Sequence, residues 1–205
     1  MTMRLEFLNR NGDPDMINIS TYRTYLDEKG EIGSELVSVI NNGKDVTQEE
    51  RARLEKERAK DEAKGEDGTS EVHNVKLSLE ESPFHPDNQE RIQLTPVEEE
   101  RTIDGITCRR FDYSLPLENN TRIGTAWLDI DTGAPVLHEF TTDPLPPRVK
   151  EMSTTVRFKY APEGDFYTTR AVFEGVGGFL FIKKSFRGSM VFENYWEFEG
   201  ELNAD

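Results

Sequence analysis

The sequence lacks several features that whole classes of protein require. Its 205 residues include one cysteine, Cys108, so an intramolecular disulfide cannot form. No run of about 18 apolar residues occurs, and the sequence therefore predicts no membrane-spanning helix. The net charge is −15 and there is no basic cluster, which disfavours binding to nucleic acid, because that binding depends on contacts to phosphate. Electrostatic attachment to an anionic membrane surface is disfavoured for the same reason.

Motifs for catalysis and metal binding are also missing. The three histidines, His73, His85 and His138, are not spaced with carboxylates as metal ligands are. Cys108 has no histidine partner of the kind thiol catalysis uses, which favours a packed residue over a nucleophile. No phosphate-binding loop or nucleophile elbow is present. The sequence therefore predicts a non-enzymatic protein with no cofactor and no metal. A hydrolase using paired carboxylates is a third alternative that no motif supports.

What the chain does contain is aromatic and β-forming sequence. Hydrophobic residues make up 35% and charged residues 32%, yet the aromatic share of 10% is too high for a disordered chain. The apolar residues are therefore concentrated in strands. The length suits one all-β domain, and we predict a single domain over residues 1–205.

Alternating apolar and polar residues predict about ten strands in hairpin succession. Residues 2–41 form the first three, and later strands follow from Pro96 onward. The segment from Asp143 to Pro147 has three prolines and is predicted to be an extended connection. At the C-terminal end the predicted strands are Met152–Tyr160, Tyr167–Glu174, Phe179–Phe186 and Ser189–Phe198, with turns at 175–178 and 187–188. This pattern indicates a curved antiparallel meander that partly closes on itself.

One segment has a helical pattern instead. Thr47 and Glu50 match a capping box, and the following residues to Lys64 are strong helix formers of both charge signs. The segment has no wide apolar stripe, so we interpret residues 47–70 as an exposed, charged helical insertion, with residues 65–70 as a flexible return. A binding role for this helix is the less favoured alternative.

The most informative feature is apolarity on both faces of the late strands. In residues 178–182 successive side chains point to opposite faces, so both faces are apolar, and residues 126–128 and 172–173 repeat the effect. One face packs on the core, and the other must be covered by a helix, a partner or a ligand. The alternative is double-sided burial under a lid helix, but the charged helix offers little apolar surface.

The order of several motifs resembles the LolA-like proteins, the outer-membrane lipoprotein-sorting proteins of Gram-negative bacteria. The resemblance runs over nearly the whole chain and rests on the segments 42–45, 104–108, 124–129, 131–135, 144–146 and 175–181. It implies an incomplete β-barrel, in which a curved antiparallel sheet has its concave apolar side covered by helices. The family's carriers hold lipid chains there, in the periplasm, and pass them to the outer membrane. This chain departs from the family in having neither an export signal nor an amphipathic lid.

From the residues and the resemblance together we predict a mainly β (α+β) fold and a non-catalytic binding or carrier protein. Its ligand would be a lipid, an acyl chain or a lipoprotein, and its partner an outer-membrane or envelope protein. The predicted apolar lining is Trp127, Phe140, Phe158, Phe173, Phe179 and Phe181. We expect a periplasmic or cell-envelope location, with an N-terminal targeting segment missing from this sequence. The alternative is a protein–protein interaction or structural module that uses the same apolar face.

Overall fold

The protein is a single large antiparallel sheet with one α-helix in the part of the chain that is described. The computed structural model describes residues 1–26, 32–64, 81–160, 166–179 and 182–194. A helix, α1 (Thr47–Lys64), and eleven strands lie within these ranges. The strands are β1 (Thr2–Leu8), β2 (Pro14–Leu26), β3 (Ile32–Asn41), β4 (Lys44–Asp45), β5 (Gln93–Ile103), β6 (Ile106–Pro116), β7 (Thr121–Asp129), β8 (Pro135–Asp143), β9 (Val149–Tyr160), β10 (Phe166–Phe179) and β11 (Ile182–Val191). The prediction of a mainly β fold is confirmed.

The sheet is open, with β4 at one end and β5 at the other. Its order is β4-β3-β2-β1-β11-β10-β9-β8-β7-β6-β5, so β1 joins the N-terminal hairpins to the end of a long meander. Among the described residues β4 and β5 do not pair with each other. The end at β4 is only two residues long, and β5 has Pro96 and exposed glutamates, two features that protect a sheet edge from pairing with other chains.

Most strand predictions are confirmed, but the two turns predicted at 175–178 and 187–188 are wrong. The three N-terminal strands are present, and the proline-rich segment does connect β8 with β9. The predicted turn at 175–178 instead lies inside β10, and the one at 187–188 lies inside β11. Strand β10 ends at Phe179 and β11 begins at Ile182, in the middle of a predicted strand, so the described part has three strands here instead of four. Residues 195–198 of the last predicted strand lie outside the described residues.

Aromatic rings explain why these glycines belong to strands. Gly188 pairs with Phe173 across β10 and β11, and Gly175 pairs with Phe186 on the same two strands. A Cβ added at Gly188 would lie 2.1 Å from Phe173 Cζ, and one at Gly175 would lie 2.8 Å from Phe186 Cζ. Glycine is therefore needed to leave room for the neighbouring ring, a role that a turn-based interpretation of glycine does not anticipate.

Helix α1 lies against β3, and its start differs from the predicted capping box. Thr47 Oγ1 accepts a hydrogen bond from Val39 N in β3 at 2.9 Å. The carboxylate of Asp45 caps the helix instead, since it accepts from Thr47 N at 2.9 Å. Arg51 donates to the carbonyl oxygen of Leu36 at 2.9 Å, and most other described helical side chains are exposed. A helix is present over Thr47–Lys64, where the sequence predicts one, and most of its described side chains are exposed, while residues 65–70 lie outside the described residues.

The two faces of the sheet have different clusters of buried side chains. We call the face that bears Phe140, Val156 and Phe173 the core face, and the face that bears Trp127 and Leu137 the second face. Strand alternation assigns each residue to a face through the observed register. No helix of the described chain is long and apolar enough to cross a membrane.

Candidate functional site

The core face has a continuous strip of buried apolar side chains across β6 to β11. This apolar strip consists of Tyr113, Leu115, Phe140, Val156, Ala171, Phe173 and Met190. Met3 and Leu5 of β1 pack against it, as do Phe158 and Phe186. The strip forms because these residues alternate with polar ones along each strand, and the register aligns Met3, Met190, Ala171 and Val156 in one row.

A short irregular segment covers part of this strip. We call residues 81–92 the cap segment; it contains the 3-10 turn Pro86–Asn88. Its one Phe, Phe84, makes edge-to-face ring contacts with His138, Phe158 and Phe166, at centroid distances of 5.6, 5.6 and 6.0 Å. Such pairs contribute about 0.5–1.5 kcal/mol each beyond the area they bury. The Phe84 side chain therefore anchors the cap segment to the core face.

The cap segment also has an internal scaffold. Asn88 is fully buried and donates from Nδ2 to Ser82 O at 2.7 Å. Its Oδ1 accepts a hydrogen bond from Arg91. The hydrogen bonds close the segment into a compact turn, which presents Phe84 to the sheet.

A buried polar pair lies beneath Phe84. The Tyr113 hydroxyl and His138 Nε2 are hydrogen-bonded, and each residue is 3% exposed. Tyr113 reaches His138 from β6 to β8 because β7 has small residues, Gly124 and Ala126, on this face. Burial, and then the nearby Arg122 charge, lower the pKa of His138 to about 3, and burial raises the pKa of Tyr113. Both groups are therefore neutral near pH 7, which suits a structural hydrogen bond rather than proton transfer.

Arg122 is the one buried cation of the core face in the described chain, and it links the sheet to the cap segment. It is 7% exposed, and its Cζ lies 4.4 Å from the Phe140 ring centroid. Its Nη2 donates to Glu81 Oε2 at 2.8 Å, and its Nη1 donates to the Glu81 carbonyl oxygen. Burial lowers the pKa of Arg122, which the Glu81 carboxylate opposes. The ion pair thus closes one end of the cap segment over the sheet.

The structure brings together only part of the predicted lining. Phe140, Phe158 and Phe173 lie on the core face at the apolar strip. Trp127 lies on the second face, in a separate cluster with Ile103, Cys108, Val136 and Leu137. Phe179 ends β10, but its side chain lies outside the described residues, as does the whole of Phe181.

Within the described residues, the second face bears open depressions with polar lining. One, of about 300 Å³, is lined by Thr155, Arg157, Arg170 and Val172. Another, of about 290 Å³, lies beside Arg101 and Asp104. Trp127 is 3% exposed here, and the Arg101 guanidinium lies 3.9 Å from the centre of its ring. Neither depression is lined by residues of the apolar strip.

Sequence reasoning missed Phe84, Arg122 and the Tyr113–His138 pair. Phe84 lies between Pro83 and Pro86, in a segment that has no periodicity to assign its side chain to a face. A pattern in the sequence could have identified Arg122. It shares a strand face with Gly124 and Ala126 and interrupts an otherwise small or apolar row. No three His, Cys, Asp or Glu side chains of the described ranges are grouped to bind a metal ion.

Comparisons with known proteins do not assign the chain to a family. No protein-family model matches it. No curated protein sequence matches it either. Among solved structures, the Pseudomonas aeruginosa MucA/MucB complex is similar at 10% identity and a TM-score of 0.22, over 92% of this chain and 87% of that chain. Membership of the LolA-like family therefore stays a prediction from the motifs.

Proposed function

We propose that this protein is a non-catalytic binding or carrier protein that takes an apolar ligand, such as an acyl chain, on the core face beneath the cap segment. The main support for the proposal is the kind of segment that covers the apolar strip. In the described chain, residues 81–92 cover it through the Phe84 ring, the Glu81–Arg122 ion pair and Ile92, where a permanently buried face would be covered by a regular element. In this proposal the sheet is the incomplete barrel and the cap segment is its lid.

The free energies of burial favour the exchange of Phe84 for an acyl chain on the apolar strip. Phe84 is half-buried, so exposing it costs less than the about 1.5–3 kcal/mol of a fully buried Phe, and breaking a partly exposed ion pair adds a smaller amount. Each methylene buried in exchange contributes about 0.8 kcal/mol, so ten give roughly 8 kcal/mol before ordering costs. A chain of that length would therefore displace the cap segment with free energy left for binding.

The test is titration with an uncharged apolar fluorophore, N-phenyl-1-naphthylamine, whose emission rises on burial. We expect saturable binding at micromolar concentrations. Phe84→Ala should bind roughly 10-fold tighter or more, because the fluorophore no longer displaces a ring. Ile123→Ala removes an exposed apolar side chain from the second face and serves as the matched control. Circular dichroism would verify that both variants are folded. No saturable binding by the wild type and by Phe84→Ala would reject the proposal.

The ligand's delivery belongs to the same proposal. The motif resemblance supports a lipid or lipoprotein as cargo, a periplasmic or cell-envelope location, and an outer-membrane or envelope protein as the recipient. Fractionation of source cells, with an antibody against this chain, tests the location. Recovery in the cytoplasmic fraction alone would remove the delivery role and leave the binding role standing.

A protein–protein interaction module is the second candidate. It is favoured by two exposed apolar side chains that strand alternation places on the second face with Trp127, namely Ile106 and Ile123, which are 37% and 44% exposed. Sedimentation velocity over a concentration series separates the two functions. A tight dimer that Ile123→Asp dissociates would favour the interaction module over the carrier.

A further inference from the structure

Arg122 is the one buried cation beside the apolar strip in the described chain. An acyl chain has an apolar tail that the apolar strip can bury, but the strip also has one cation beside it. Arg122 projects from β7 on the core face and is 7% exposed. A buried guanidinium is costly unless it is paired and its donors are satisfied. A ligand that displaces the cap segment must therefore either supply acceptors to the Arg122 guanidinium or leave it buried and unpaired.

All of the hydrogen-bond acceptors that Arg122 uses within the described chain belong to the cap segment. Both terminal nitrogens donate to Glu81, one to the carboxylate and the other to the backbone carbonyl oxygen. The third nitrogen, Nε, is buried and has no hydrogen-bond partner among the described residues. When the cap segment leaves, the guanidinium loses both Glu81 acceptors, and Nε remains a free donor.

The cap segment therefore has the chemistry of a bound ligand. It places a carboxylate on Arg122 and an apolar ring on Phe158 and His138. A guanidinium binds a carboxylate best in a two-point arrangement, and the side-on form uses Nε together with one terminal nitrogen. The Glu81 carboxylate accepts from one terminal nitrogen, so an external carboxylate bound side-on would use one more nitrogen than the Glu81 carboxylate does.

We propose that Arg122 anchors the anionic head of the ligand, so that the ligand is a single-chain amphiphile with a carboxylate head. This inference rests on the proposed function and names its ligand class. The carboxylate replaces that of Glu81, and the alkyl chain replaces Phe84 on the apolar strip. An uncharged chain of the same length would leave Arg122 buried without its acceptors, and this difference produces selectivity for the head group.

The test compares dodecanoate with 1-dodecanol at pH 8, each displacing N-phenyl-1-naphthylamine. We expect dodecanoate to bind roughly 10- to 100-fold tighter, the size of a charge-assisted hydrogen bond. Arg122→Met should reduce this ratio to near one. Arg157→Met removes an arginine from the second face and should leave the ratio unchanged.

Glu81→Gln tests the same inference without removing a buried residue, because the Glu81 side chain is 47% exposed. It removes the internal carboxylate, so the ratio should rise several-fold. Equal binding of dodecanoate and 1-dodecanol by the wild type would overturn the anionic-head assignment. A ratio unchanged in both Arg122→Met and Glu81→Gln would also overturn it.

The remaining outcomes separate this inference from the proposed function. Binding of the fluorophore and 1-dodecanol, with no preference for dodecanoate, keeps the apolar site and overturns only the head-group assignment. Failure of all three compounds to bind overturns both proposals. Stronger binding of an apolar peptide with a free C-terminal carboxylate than of dodecanoate would overturn the lipid class and favour a peptide ligand.

Discussion

The phenyl ring of Phe173 lies directly over Gly188 of the neighbouring strand. A Cβ added at Gly188 would be 2.1 Å from Phe173 Cζ and 2.5 Å from Cε2. Both residues are buried on the core face, so neither the ring nor the strand has room to move away. The contact between the Phe173 ring and Gly188 therefore fills the core face where β10 pairs with β11, in the centre of the apolar strip.

Gly188→Ala should lower the free energy of unfolding by about 1–3 kcal/mol, because the added methyl overpacks the core face. Urea unfolding measures the change. Gly177→Ala, in the neighbouring strand β10, is the matched control: its Cβ would lie 3.6 Å from the nearest atom, an ordinary contact. We expect that variant to be neutral or slightly stabilising. Equal stability of wild type and Gly188→Ala would mean that the ring is not confined as described.

His138 should make stability depend on pH. Burial lowers its pKa from 6.5 to about 3 in the folded chain, while the unfolded chain keeps an ordinary imidazole. Below pH 6.5 the unfolded state binds a proton that the folded state does not, so stability falls as the pH is lowered towards 3. The maximum slope is about 1.4 kcal/mol per pH unit. Carboxylates also titrate in this range, so we compare slopes between the wild type and His138→Gln, whose curve should be flatter. Parallel curves would contradict the burial of a neutral His138.

The Cys108 thiol should be unreactive in the folded protein. It is fully buried, and burial raises the pKa of the thiol, so very little reactive thiolate is accessible. Reaction with 5,5′-dithiobis(2-nitrobenzoic acid) should be roughly 1000-fold slower than in guanidinium chloride, the inverse of a typical unfolded fraction. Rapid reaction in the native state would revive a nucleophilic role for Cys108.

Arg101 should shield Trp127 from water. Its guanidinium lies 3.9 Å from the ring centre, a cation–π contact that contributes about 0.5–1 kcal/mol. In a Trp196→Phe background, where Trp127 is the one remaining tryptophan, Arg101→Ala should shift the emission to longer wavelength. Arg109→Ala removes an arginine that pairs with Glu100 and should cause no shift. A red shift in Arg109→Ala and none in Arg101→Ala would contradict the contact.

Local sequence was sufficient for most strands and for helix α1. Period-two alternation marks the strands of residues 2–41, and the run of helix formers after Thr47 marks α1. The prediction from local sequence failed at Gly175 and Gly188, because glycine permits a turn and also leaves room under a ring from the next strand. Which role applies depends on the cross-strand partner, and no local window of sequence contains that partner.

The candidate site, like the strands, could be predicted from local sequence only in part. Phe140, Phe158 and Phe173 could be predicted as an apolar set, because each lies in an alternating strand. The separation of Trp127 from them could not, since the face of a strand is assigned only when its register with both neighbours is known.

The sequence by itself determined the mainly β architecture, the charged exterior helix and the excess of apolar side chains in the late strands. These follow from periodicity and residue type, which act over a few neighbouring residues. The tertiary structure decided that Phe84 covers the apolar strip and that Arg122 meets Glu81, 41 residues away in the chain. Contacts of that kind depend on which strands pair and in what register, because only the assembled sheet brings distant residues within reach.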